Sequence, residues 1–168
     1  MNKKLFLGMF AAAGMLLATS CSNDELDVVQ SGNEAQVTFS LAAEGGIATR
    51  AISDGKSADV LYYAIYDADK KLITTIAGST NGLLTKPKAF PNGSKQDAVE
   101  VTLAKGQEYT AVFWAQDASC NAYTVTAEPD GLKVAVDYEG DNNDETRDAF
   151  FKAETFKVTG NTEIDVVL

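Results

Sequence analysis

Cys21 is the residue with the most definite chemistry in this chain. A basic start, Asn2-Lys3-Lys4, precedes an apolar run from Leu5 to Ala18, and the small residues Ala18-Thr19-Ser20 lead directly into the cysteine. The run has the length of a signal-peptide core and is too short to span a bilayer. A cysteine placed directly after a small-residue cleavage site is a lipidation site. Its thiol takes a diacylglycerol, the peptide bond before it is cut, and the new amine is acylated. Each buried CH₂ contributes about 0.8 kcal/mol, so several acyl chains together anchor a protein stably. The expected product begins at a lipidated Cys21.

Catalytic chemistry has little to work with. Histidine is absent, which removes nucleophile–His arrangements and His-based zinc sites. Cys120 has no intramolecular thiol to pair with once Cys21 is acylated. A lone cysteine in an exported protein is a small buried hydrophobe or a reactive thiol, and burial is the reading favoured here. Asp141-Asn142-Asn143-Asp144-Glu145 offers oxygen ligands at alternate positions, as calcium loops do. Thr146 then stands where such a loop needs glycine and Lys152 where it needs glutamate, so a solvated acidic loop is expected. No glycine cluster sits between a strand and a helix to cradle phosphate. No enzyme activity, cofactor or metal site is expected.

Two other features could carry function. Tyr62, Tyr63, Tyr66, Tyr109, Phe113 and Trp114 could stack on sugars, although aromatic residues on strands more often form the core. Phe113 and Trp114 must face opposite sides of a strand, so an exposed Trp114 would favour binding. Arg50 is one of two arginines, with Arg147, and sits in the small-residue segment Gly45-Gly46-Ile47-Ala48-Thr49-Arg50-Ala51. Such a segment is an easy substrate for a trypsin-like protease, although from these residues alone a loop arginine of no consequence is the stronger reading.

These residues must be positioned by strands. Residues 1–20 read as a leader, 21–33 as a lipidated acidic tether, and 34–168 as one β-sandwich domain. Ser22-Asn23-Asp24-Glu25 also looks like an acidic tag for export to the outer surface. From residue 35 the pattern has period two, with Val37, Phe39 and Leu41 on one side. Val60–Asp67 is apolar on both faces, as a central strand is. Leu72–Ile76, Val99–Leu103, Tyr109–Gln116, Tyr123–Ala127, Leu132–Tyr138, Phe156–Val158 and Thr162–Leu168 complete eight or nine short strands. Phe150 and Phe151 suggest one turn of helix, and Gly78–Lys95 a long loop. Many short strands separated by Gly, Pro, Asn and Asp imply an all-β sandwich. The chain carries a formal charge of −10, and removing the leader takes away two lysines and no acid. No basic cluster offsets this, so nucleic acid is excluded as a partner, and charge alone would not hold the protein to anionic lipid.

The lipidation signal, the acidic tether, the first strand, Ala48-Thr49-Arg50-Ala51 and the stretch SDGKSADVLYYAIYDADKKLI together resemble the N-terminal domain of fimbrillin-like proteins of type V pili. YTAVFWAQ, VAVDY and RDAFF extend the likeness, which is strongest to a fimbrillin-related lipoprotein domain of unknown function. The resemblance implies a transthyretin-like or immunoglobulin-like sandwich anchored to the outer membrane at the cell surface. It also implies an arginine-specific protease that cuts between Arg50 and Ala51. Loss of Ala35–Ala43, with Val37, Phe39 and Leu41 as groove-filling residues, would then let a strand from another pilus subunit enter. Fimbrillins usually continue into a second sandwich whose C-terminal segment donates such a strand. This sequence stops at Leu168 inside a strand; it could accept a strand, and a truncated or fragmentary chain, a single-domain relative, a pilus anchor or tip subunit and a non-pilus relative all stay open. Two functions follow as expectations: a non-catalytic structural or adhesion subunit, or a glycan-binding surface lipoprotein.

Overall fold

The computed structural model describes residues 32–42, 58–90, 96–139 and 145–168. Among them the chain forms nine strands: β1 (Glu34–Ala42), β2 (Val60–Asp67), β3 (Leu84–Pro87), β4 (Gln96–Ala104), β5 (Glu108–Gln116), β6 (Tyr123–Glu128), β7 (Gly131–Val136), β8 (Ala149–Lys157) and β9 (Thr162–Val167). A short 3₁₀ turn at Glu145–Arg147 precedes β8. The architecture is an all-β sandwich.

One layer has three strands in the order β4-β1-β9, and the other has four in the order β3-β2-β5-β8. β1 runs antiparallel to β4 and parallel to β9. Alternation along β1 sends Ala35, Val37, Phe39 and Leu41 inward, all buried. Val99, Val101 and Leu103 do the same from β4, and Val166 from β9. They meet Leu61, Tyr63 and Ile65 of β2 and Tyr109, Ala111, Phe113 and Ala115 of β5 in one core. Burying these side chains is the main stabilising term for a sandwich of this kind.

Two of the crossings between layers, from β4 to β5 and from β8 to β9, are bonded to each other: Gly106 N–H donates to the Val158 carbonyl at 2.7 Å and Val158 N–H to the Gln107 carbonyl at 3.0 Å. Gly106 has φ +83°, a left-handed conformation that glycine adopts without a Cβ clash. Val158, fully buried, fills the space between the crossings.

The continuous apolar character of β2 has a physical cause. The β6–β7 hairpin covers part of its outer face, packing Ala127 and Leu132 against Ala64, Tyr66 and Val112. The Tyr66 hydroxyl donates to the Glu128 carbonyl at 3.1 Å. Burial, with the charges of Asp130 and Glu128, pushes the Tyr66 phenol up to about 12.

Three elements differ from the sequence expectation. Leu72–Ile76 is not a strand; Leu72 makes a single bridge to Tyr66, and Ile73 and Ile76 turn onto the end of the core. The expected loop at 78–95 contains β3, which pairs with β2 from Val60 opposite Pro87 to Tyr63 opposite Leu84. Phe150 and Phe151 lie in a nine-residue strand, held in register by β5 along the whole of β8.

Candidate functional site

The slot occupied by β1 is the most distinctive site in the molecule. β1 lies in the middle of its layer, with β4 on one side and β9 on the other. Phe39 stands opposite Val99 of β4 and Ile164 of β9. Its ring inserts edge-on between Phe113, at 5.1 Å between centroids, and Phe156, at 5.3 Å. Edge-to-face contacts at this separation add about 0.5–1.5 kcal/mol each beyond burial. Val37 and Phe39 are 0% exposed and Leu41 1%. The three inward residues expected of this strand therefore fill consecutive pockets between the layers.

The outward side of β1 is polar and neutral, from Gln36 through Thr38 to Ser40. Its neighbours are acids. Thr38 lies opposite Glu100 on β4 and Glu163 on β9, and Ser40 lies opposite Asp165 on β9. Gln36 Nε2 donates to Glu100 Oε2 at 2.7 Å, and Ser40 Oγ donates to Glu163 Oε1 at 2.7 Å. At the ends, Lys105 N–H donates to the Asn33 carbonyl at 2.7 Å and Leu168 N–H to the Ala42 carbonyl at 2.9 Å.

A clasp stands at the C-terminal end of the slot. Asp97, beside Leu41 in register, forms an ion pair with Lys86 of β3. It also accepts from the backbone N–H of Phe90 at 3.0 Å and of Ala98 at 2.7 Å. Burial alone would raise the Asp97 carboxyl. The hydrogen bonds from Lys86, Ala98 and Phe90, with the Lys86 charge, outweigh burial and hold it below the usual carboxylate value. Phe90 has φ +52°, an uncommon conformation for a bulky residue, and Asp97 holds its N–H. The clasp therefore ties an edge strand of one layer to an edge strand of the other.

The aromatic residues divide as strand alternation requires. Tyr63, Tyr109 and Phe113 are core, and Tyr66 lies under the hairpin. Tyr62 and Trp114 face outward, in register with each other and with Phe151 of β8. Trp114 is half-buried. Its Nε1–H donates to Gln116 Oε1 at 2.8 Å, and Tyr123 packs against its ring at 5.4 Å. Phe151 is 59% exposed. The result is an aromatic row across three strands, which adds Phe151 to the residues singled out from sequence. The adjacent Phe150-Phe151 pair was the available signal, since neighbours on a strand face opposite sides.

Cys21, Arg50 and Ala51, together with residues 141–144 of the acidic loop, lie outside the described residues. Cys120 is buried, as its sequence surroundings suggested. Among the described residues no cluster of His, Cys, Asp and Glu is arranged to hold a metal ion, and no helix is long and apolar enough to cross a membrane.

A family profile matches residues 29–168, which include all nine described strands. The chain belongs to the family of unknown function DUF6562. No curated protein matches it. Among solved structures, this DUF6562 chain is similar to a DUF1812 protein of Bacteroides thetaiotaomicron for which polysaccharide binding has been suggested. The identity is 11% and the TM-score 0.52, and the likeness covers 79% of this chain and 46% of that one. A fimbrial assembly protein from Parabacteroides distasonis aligns at 12% identity with TM-score 0.36, over 80% of this chain and 52% of that one. The chain thus spans about half the length of these solved structures. The first likeness supports the sandwich fold.

Proposed function

We propose that this DUF6562 chain is a non-catalytic lipoprotein of fimbrillin type, held to the outer membrane at the cell surface through Cys21, whose first strand is removed so that another subunit's strand can take its place. The observation that carries this is the placement of β1. It supplies Val37, Phe39 and Leu41 to the core and separates β4 from β9, two strands that do not pair with each other. Its departure would expose pockets and two rows of backbone donors and acceptors at once. That is the arrangement in which strand addition gives affinity through ladder bonds and specificity through alternate side chains. The link from β1 to β2 runs through residues 43–59, which include Arg50, so a cut between Arg50 and Ala51 would separate β1 from the rest of the sandwich. An arginine-specific protease is expected to clip the intact mature protein at this bond and to yield assemblies in solution. Arg50→Ala is expected to abolish both; mutant protein that assembles as well as wild type would refute the processing step.

A second reading, a glycan-binding surface lipoprotein, is favoured by the row Tyr62–Trp114–Phe151. Aromatic faces in register across strands about 4.8 Å apart offer a flat surface on which pyranose rings could stack. Binding to a neutral oligosaccharide array that is lost in Phe151→Ala would support it; an array without signal for the wild-type protein would remove it.

A further inference from the structure

β4, β1 and β9 together contain Glu34, Asp97, Glu100, Glu163 and Asp165 and no lysine or arginine. On the outward side of the slot, Glu100 and Glu163 face the same β1 position, Thr38, from opposite sides, and Asp165 faces Ser40. All three acids are exposed. Beside these acids β1 places neutral groups: the Gln36 amide on Glu100 and the Ser40 hydroxyl on Glu163. When β1 leaves, both carboxylates lose those partners and face each other across an empty strand position. Like charges near one another disfavour the vacant slot, and a cation entering between them relieves that repulsion.

We infer that the slot selects a strand from another polypeptide with apolar residues at the positions of Val37, Phe39 and Leu41 and lysine or arginine at the outward position of Thr38. This rests on the strand-replacement reading and adds the chemistry of the partner. The pockets set the apolar spacing, and the flanking carboxylates set the charge between the apolar residues. β1 of a second copy is neutral at this position and would be the weaker occupant. Exchange of β1 for a cationic strand therefore has a direction, because the entering strand gains two cross-strand ion pairs that β1 lacks. Cross-strand pairs of opposite charge are modest individually, so a lysine flanked on both sides is expected to tighten binding about threefold to tenfold at low salt. The gain should shrink as ionic strength rises, because exposed pairs are screened.

The test uses full-length protein cut by an arginine-specific protease and incubated with labelled peptides just below its unfolding midpoint. Three peptides are compared: the sequence of residues 34–42, the same with Thr38→Lys, and the same with Thr38→Glu. The expected order of affinity is Lys, then Thr, then Glu, and Glu100→Gln with Glu163→Gln in the acceptor should collapse the difference. Equal binding of all three peptides would overturn the charge rule and leave strand replacement standing. If no peptide binds, including the native sequence, strand replacement fails and the charge rule fails with it. An independent check needs no proteolysis: in the intact chain, Thr38→Lys should unfold at a higher temperature than Thr38→Glu. The reverse order would contradict the inferred field.

Discussion

Phe39 reaches into the core from a strand whose link to β2 crosses residues 43–59, yet it touches the rings of both Phe113 and Phe156. Such a side chain stabilises the intact chain and is the largest loss if the strand departs. Phe39→Ala should destabilise the uncut protein by about 3–5 kcal/mol, the usual range for removing a buried phenylalanine, measured by urea denaturation. Leu41 and Val37 are buried equally well but are smaller, so their truncation should cost less. At this scale the sequence was informative where chemistry depends on alternation alone. Val37, Phe39 and Leu41 follow from the period of two, and so does the separation of Phe113 from Trp114. Phe151 was missed because an adjacent Phe-Phe pair fits either a helical turn or an edge strand. Only the pairing of β8 with β5 decides between them.

At the level of elements, the strands misread from sequence, β3 and the start of β8, are the two edges of the four-stranded layer. β3 is four residues, Leu84-Thr85-Lys86-Pro87, and only Leu84 is buried. Proline and lysine on an edge strand leave no alternation to read. Its importance lies in Lys86, which reaches Asp97 of β4 and so joins the layers beside the C-terminal end of β1. Asp97 has a carboxyl held below its unfolded value. Its contribution is therefore full at neutral pH and is lost as pH falls from about 4 towards the folded value. Asp97→Asn should lower stability at pH 7, and wild-type and mutant unfolding midpoints should converge in acid. Thermal unfolding across that pH range measures this directly; a difference that persists unchanged at low pH would contradict the clasp.

The whole molecule combines an acidic sandwich with an expected acyl anchor. Its formal charge of −10 disfavours attraction to anionic headgroups. Two of its faces invite different partners: the β1 slot, ringed by carboxylates, and the outer face of the four-stranded layer, where Phe151 is exposed. The fold class was legible because strand spacing and turn residues are local signals. The position of β1 between β4 and β9 was not, because it depends on pairing between residues far apart in sequence, such as Leu41 with Asp97 and with Val166. That position makes the first strand a candidate for replacement rather than an edge that merely frays.

Hydrogen exchange followed by mass spectrometry, before and after cleavage at Arg50, tests this most directly. In the uncut protein, residues 34–42 should be as protected as 108–116, since both are central strands. After cleavage the account predicts that protection falls across 34–42 and along the facing strands 96–104 and 162–167, while 60–67 and 108–116 keep theirs. Protection of 34–42 that survives the cut unchanged would show a first strand fixed in place, and would contradict the proposal that it makes way for another.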